Sequence, residues 1–389
     1  MRAYFDNAAT TRLDPDVLEA MLPLMTEDFG NPSSIHAHGR KVRTAIEKAR
    51  KTVASLLHTS PAEIFFTSGG TEADNTAIRS SIETYGLTHA ITSPLEHHAV
   101  LHTLEHLAKK NVIKLSLVEV DEDGRINLAH LEELLHAHPD TLVSLMHGNN
   151  EIGNLLDLNA VGQLCQEYQA VFHSDTVQTM GHFRHNLQHL PVDFIVGAAH
   201  KFHGPKGVGF LYVNANTKSG RGPIHPFVHG GSQERNMRGG TENVYGIVGL
   251  AKALEIAYAQ MENHRQHIES LKSRMIEQLR ERLEGVSFNG LSADLSASLY
   301  TVLNVSLPAS DLSDMLLFNL DIAGISASGG SACTSGSNLG SHVLSALPNN
   351  DPDRGAIRFS FSKYNTADEV DYAVNTLVEL YQREQEVVK

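Results

Sequence analysis

The chain has 389 residues, 41% of them apolar and 20% charged, with a formal charge of −14 at pH 7. Its length exceeds what one core usually serves, so two domains are expected. Its acidity argues against nucleic acid as an obligatory ligand, and no run approaches the ~18 apolar residues of a membrane span. The start carries no charged-then-apolar targeting pattern, and only Cys165 and Cys333 are cysteines. A cytoplasmic protein without a disulfide framework is therefore expected.

Along the chain, Pro32 to Leu57 reads as a turn and then an amphipathic helix with spaced positive charges. The first strand candidate, Ile64–Thr67, runs into Ser68-Gly-Gly-Thr-Glu-Ala-Asp-Asn75, which opens a helix. Free backbone N–H groups and the helix dipole at such a start favour an anion, although a plain strand-to-helix turn carries the same signature. His89–Ser93, Ile113–Val118 and Thr141–Met146 follow as strands, with helical stretches between most of them. His98, His102 and His106 recur every fourth residue on one helix face. No cysteine or carboxylate completes a ligand set there, so a solvated face and no metal centre are expected. Leu158 to Tyr168 is helical, and Cys165 within it reads as a small core residue.

Two later strands end in residues that buried strands rarely carry. Ala170–His173 leads through Ser174 to Asp175, and Phe194–Val196 leads through Gly197, Ala198, Ala199 and His200 to Lys201. Open α/β sheets present ligands at strand carboxyl ends, so both residues can face one crevice. A buried ammonium is costly unless it is paired or deprotonated. A deprotonated lysine can form a Schiff base with a carbonyl cofactor, most commonly pyridoxal phosphate, whose ring nitrogen calls for a carboxylate such as Asp175. Taken singly, Lys201 also reads as a snorkelling surface lysine and Asp175 as a helix cap.

Gly209–Val213 ends the alternation, which predicts a mostly parallel sheet with helices on both faces. A long helical pattern from about Val244 to Leu283 leads to a second region. There Val286–Asn289, Thr301–Val305 and Ile357–Ser360 read as strands before a final helix to Lys389, predicting a smaller α+β domain. From Gly324 to Ser341, eleven of eighteen residues are glycine or serine, with Cys333 in the middle. That composition packs loosely and predicts a movable arm carrying a thiolate nucleophile.

The segments Ser68–Asn75, Met146-His-Gly-Asn-Asn-Glu-Ile-Gly153, His200-Lys-Phe-His-Gly-Pro-Lys-Gly207 and Ser331-Ala-Cys-Thr-Ser335 resemble cysteine desulfurases of the NifS/IscS type. These are pyridoxal-phosphate enzymes of the class V aminotransferase group. The likeness runs from Phe5-Asp-Asn-Ala-Ala-Thr-Thr11 to Ile357-Arg-Phe-Ser360. It implies the α/β fold of PLP-dependent transferases, fold type I. A large cofactor-binding domain would span residues 14–257, and a small domain, residues 1–13 and 258–389, would carry the Cys333 loop.

The implied reaction takes L-cysteine to L-alanine, with the sulfur held as a persulfide on Cys333. An acceptor, either an iron–sulfur scaffold or a thiolation enzyme, would receive it. By the same resemblance Lys201 holds the cofactor and moves protons, and Asp175 keeps the ring nitrogen protonated. His97 stacks on the ring and serves in proton transfer, while Gln178 bonds the ring hydroxyl oxygen. Asn150 and Arg358 hold the substrate carboxylate. The phosphate falls to Thr71 with the backbone of Gly70 to Glu72, to His200, and to Thr241 reaching across from a second subunit, which implies a homodimer.

Two departures stand out. Ala198 replaces a serine that usually touches the phosphate in this family, and the ending Arg383-Glu-Gln-Glu-Val-Val-Lys389 lacks the apolar tail with which some relatives dock a scaffold. Other readings are a selenocysteine lyase or a transaminase on the same cofactor, and a weakened paralogue acting as a sulfur-relay partner. A transaminase has no need of a thiol on a movable arm, so Cys333 separates it from a desulfurase.

Overall fold

A computed structural model describes residues 1–215, 222–310, 313–329 and 340–387. The strands in chain order are β1 (Ala3–Tyr4), β2 (Ile64–Thr67), β3 (His89–Thr92), β4 (Lys114–Leu117), β5 (Thr141–Ser144), β6 (Val171–Asp175), β7 (Phe194–Ala198), β8 (Gly209–Val213), β9 (Ser287–Phe288), β10 (Val302–Leu307), β11 (Ile325–Ser326) and β12 (Gly355–Ser360). The first six helices are α1 (Pro15–Thr26), α2 (Ala37–Leu56), α3 (Gly70–Tyr85), α4 (His98–Lys109), α5 (Leu128–Ala137) and α6 (Leu158–Glu167). They are followed by α7 (Val244–Ala259), α8 (Met261–Arg282), α9 (Leu316–Ile322), α10 (His342–Ser345) and α11 (Ala367–Val387).

Seven strands form the main sheet in the order β2-β8-β7-β6-β5-β3-β4. Pairs among β3 to β7 are parallel, whereas β8 runs antiparallel to both β2 and β7. The exception has a simple cause. Residues 199–208 are too few for the crossover a parallel neighbour requires, and His203-Gly-Pro-Lys-Gly207 turns the chain straight back. That turn also carries Lys201.

Strand alternation sorts the side chains between two layers. Ile195, Phe210 and Tyr212 join the core shared with α1, α2, α6 and α7. Phe194, Val196, Leu211 and Val213 join the opposite core against α3 and α4. A third core gathers Phe5, Leu271, Met275, Leu303, Phe359 and Val374 around the antiparallel trio β12-β10-β9.

The sequence pattern across residues 244–283 suggests one long helix, but the structure has two. The break falls at Gln260, whose φ of −114° and ψ of 15° leave the helical region. Packing explains it. Residues up to Met261 bury against the main-sheet core, whereas Ile268 onward bury against the third, and one straight rod cannot serve both. The N-terminal segment bridges the same two regions. β1 pairs with β11, Phe5 packs edge-on against Phe359 and Phe361, and Thr11 N–H then donates to the His200 carbonyl at 2.9 Å.

Candidate functional site

The carboxyl ends of β6 and β7 and the start of α3 enclose a cavity of about 400 Å³. Its lining includes Gly70, Thr71, His97, Asn150, Asp175, Gln178, His200, Lys201 and Arg358. Nine of the twelve candidate residues thus meet in one space. Glu72 stands outside it as a side chain, paired with Arg238 at 2.9 Å. Thr241 lines a different cavity of about 150 Å³ with Ser68, Glu234 and Arg238. Cys333 lies outside the described residues.

Gly69 gives α3 no side-chain cap, so the first-turn N–H groups of Gly70, Thr71 and Glu72 lack intrahelical acceptors and can bind an anion. A Cβ on Gly70 would stand 2.8 Å from Val177 Cγ2, so only glycine leaves the cradle intact. The Ala198 methyl faces this start, 3.8 Å from the same point.

Asp175 ends β6 in a buried position, and its Oδ1 accepts the Val177 N–H at 2.8 Å. Burial pushes its carboxyl up to about 6, partly offset by that N–H and by the Lys201 charge. Asp74, on the pocket face of α3, and Glu96 are also buried carboxyls, both held well above the usual range by desolvation and by the Asp175 charge. Burial thus favours the protonated forms of Asp74 and Glu96 and leaves Asp175 as the carboxylate suited to a cationic ring nitrogen.

Lys201 Nζ donates to the Ala8 carbonyl and, at 3.0 Å, to that of Ala9. Gln178 Nε2 donates to the same Ala8 oxygen at 3.0 Å. His97 caps α4, its Nδ1 accepting the Ala99 N–H at 3.2 Å, which leaves the ring proton on Nε2. Burial, with the Lys201 charge, lowers its pKa to about 4, so the ring is neutral at pH 7. His200 is lowered to about 4 by the same two causes and sits 3.2 Å from the Thr10 hydroxyl.

Arg358 is only 1% exposed. Its Nη1 donates to the Asn150 carbonyl at 3.0 Å and its Nη2 to Asp6 at 2.7 Å, while Nε has no partner among the described residues. That buried, open N–H edge suits a carboxylate. Phosphate cradle, acidic floor, amine and carboxylate fork all fit pyridoxal phosphate bearing an amino-acid substrate.

Sequence reasoning missed the Ala8 and Ala9 carbonyls, Asp6, Asp74 and His342. Backbone acceptors leave no trace in residue type. Asp74 could have been found three residues after Thr71, one turn along the same face. His98 leaves the solvated face expected for it. It stacks on His102 at 4.4 Å and meets His342 Nδ1 at 3.1 Å, whereas His102 and His106 are exposed. Among the described residues no group of three or more His, Cys, Asp or Glu could hold a metal ion, and no helix is long and apolar enough to cross a membrane. Cys165 is buried in α6, its thiol pushed up by desolvation.

The sequence model of the class-V aminotransferase family matches residues 3–373. The cysteine desulfurase IscS of Dictyoglomus turgidum is 42% identical over 387 residues, covering 98% of this chain and 94% of that protein. A solved NifS-like protein superposes with a TM-score of 0.88 at 40% identity, covering 98% of this chain and all of the other. A structure of SspA in complex with cysteine superposes with a TM-score of 0.79 at 30% identity, covering 94% and 100%. With matches of that length and identity, the chain belongs to the class-V aminotransferase family, in its IscS/NifS-like cysteine desulfurase group.

Proposed function

We propose that this protein converts L-cysteine to L-alanine, takes the sulfur on Cys333 as a persulfide, and passes it to an acceptor protein for iron–sulfur cluster assembly or thiolation. The observation that carries this reading is the meeting of Lys201, Asp175, His97 and Arg358 with the uncapped start of α3 in one cavity. A cysteine-bound relative of the same fold supports the substrate.

Class-V aminotransferases use pyridoxal 5'-phosphate, which when bound supplies an electron sink for charge developing at the substrate α-carbon. The N–H groups of Gly70 to Glu72, the Thr71 hydroxyl and His200 hold its phosphate. Asp175 retains the ring-nitrogen proton, and Gln178 reaches the ring hydroxyl oxygen. Lys201 Nζ, already drawn into the cavity by two carbonyls, anchors the cofactor and then carries the α-carbon proton. His97, neutral with its proton on Nε2, covers the ring and donates toward the reacting sulfur. Arg358 offers its open Nε–H edge to the substrate carboxylate, and Asn150 completes that contact. The Cys333 thiolate attacks the substrate sulfur; as the sulfur–sulfur bond forms, the carbon–sulfur bond breaks with its electron pair left on the substrate β-carbon, which takes up a proton to become the methyl group of alanine.

We assign a homodimer on two grounds. Thr241 lies outside its own chain's Lys201 cavity, and α1 exposes Leu18, Leu22 and Met25 while the segment after it exposes Phe29 and Ile35, at 76% and 87%. The division into residues 14–257 against 1–13 with 258–389 is proposed from the two separate cores, which Met261 and Ile268 enter on either side. A cytoplasmic setting accords with a buried, free Cys165.

The test is the cofactor-loaded protein with L-cysteine and a reductant, with alanine and sulfide both quantified. Equal amounts, lost in Lys201→Ala and in Cys333→Ala, are expected. Activity surviving in Cys333→Ala would replace the persulfide route with direct lyase chemistry.

A further inference from the structure

The turn holding Lys201 is pinned on two sides. On one, the His200 carbonyl accepts both the N–H and the hydroxyl of Thr11 at 2.9 Å, and that hydroxyl also accepts the His203 N–H at 2.8 Å. On the other, the carbonyl of Lys201 itself meets His182 Nε2 at 3.3 Å. A carbonyl oxygen can only accept, so Nε2 carries the imidazole proton and Nδ1 is the acceptor. At Nδ1 stands the Tyr300 hydroxyl, 3.1 Å away and also 3.2 Å from the His182 carbonyl, so its one proton is shared between these two acceptors; its ring is edge-on to the imidazole at 5.6 Å. Tyr300 is 1% exposed, in the third core beside β10, so a rigid neighbour braces the imidazole, while the Lys201 carbonyl sets its tautomer. Burial keeps His182 neutral, lowering its pKa to about 4.

His182 belongs to the short segment that begins at Asp175 and contains Gln178. The same eight-residue stretch therefore carries the acid of the cavity floor and the group that holds the lysine's main chain. We propose that His182, in its Nε2–H form and braced by Tyr300, is a positioning residue that sets where Lys201 Nζ stands relative to Asp175. The assignment rests on the reading of Lys201 as the cofactor lysine. It also links the seating of the third core to the geometry of the cavity, because Tyr300 comes from one region and His182 from the other.

The test compares His182→Leu, His182→Gln and Tyr300→Phe with the wild type, as cofactor-loaded enzyme for kinetics and without cofactor for amide exchange. His182→Leu should lower kcat about 10- to 100-fold with KM changed less than about threefold, the cost of an ångström-scale misplacement. His182→Gln, whose amide N–H can donate to the same carbonyl, should recover most of that loss. Tyr300→Phe should lower kcat about threefold to tenfold. Without cofactor, the amides of Phe202, His203 and Gly204 should exchange faster in His182→Leu and Tyr300→Phe, with β7 unchanged. Unaltered kcat and exchange in both variants would overturn the assignment, as would a loss that Gln does not relieve or one confined to KM. Tyr300→Phe decides the matter if His182→Leu does not fold. Alanine formation persisting in Lys201→Ala would instead overturn the reading of the site, a failure visible separately.

Discussion

Ala198 is where the chain leaves the pattern of its motifs, and its position gives that departure a cost. The methyl group faces the start of α3, where a hydroxyl would donate to a bound phosphate. One missing hydrogen bond to a charged group is worth about 1.5–3 kcal/mol. Titrating the cofactor into Ala198→Ser should therefore show a dissociation constant at least about tenfold below that of the wild type; equal constants would mean that a neighbour already replaces the lost bond. At this scale the sequence was informative wherever a residue type was out of place. Lys201 and Asp175 stood out because strands seldom end in charge at their buried ends. The carbonyls of Ala8 and Ala9, which hold the lysine, carry no residue signature, and neither does the role of His182, which depends on a tyrosine 118 positions away.

At the level of elements, the strand and helix pattern was largely legible, since alternating apolar positions reported the two faces of the main sheet. Three features were not. The antiparallel entry of β8 follows from connection length rather than strand composition, and the break at Gln260 follows from which core each helix must reach. A third hidden feature is the tie between α2 and the segment before Arg238. Arg50 and Glu234, each 2% exposed as side chains, form a two-pronged ion pair at 2.7 Å, and Glu234 also accepts the Phe66 N–H at 2.8 Å. Removing one partner strands a buried charge. Glu234→Gln should cost about 3–5 kcal/mol in denaturant unfolding, whereas Arg50→Met with Glu234→Leu should cost less than either single change. A single-variant loss below about 1 kcal/mol would show that water reaches the pair.

Across the whole molecule, burial of imidazole dominates the response to acid. His89, His97, His98, His147, His173, His182, His185, His200 and His203 are all lowered to about 3 or 4, chiefly by desolvation. In the unfolded chain each titrates near 6.5, so between about pH 6.5 and 4 the unfolded state binds more protons and stability falls as pH falls. The raised carboxyls of Asp74, Glu96, Glu151, Asp175 and Glu242 act in the opposite sense, but they are fewer. The melting temperature should therefore drop between about pH 7 and pH 5, with about 1 kcal/mol lost per deeply buried imidazole near pH 5.5. A flat profile would mean the carboxyls compensate. Assembly is tested at the same scale. Light scattering should give about twice the 42.5 kDa chain mass, and Phe29→Asp with Ile35→Asp should yield monomers that bind cofactor weakly. A monomeric wild type would remove Thr241 from the phosphate site.

The most direct measurement is a single turnover of the cofactor-loaded protein with L-cysteine and no reductant, followed by peptide mass spectrometry and alanine quantification. One alanine per active site and one added sulfur atom on the Cys333 peptide are expected, with Cys165 unmodified. Alanine released while Cys333 stays unmodified would contradict the persulfide route.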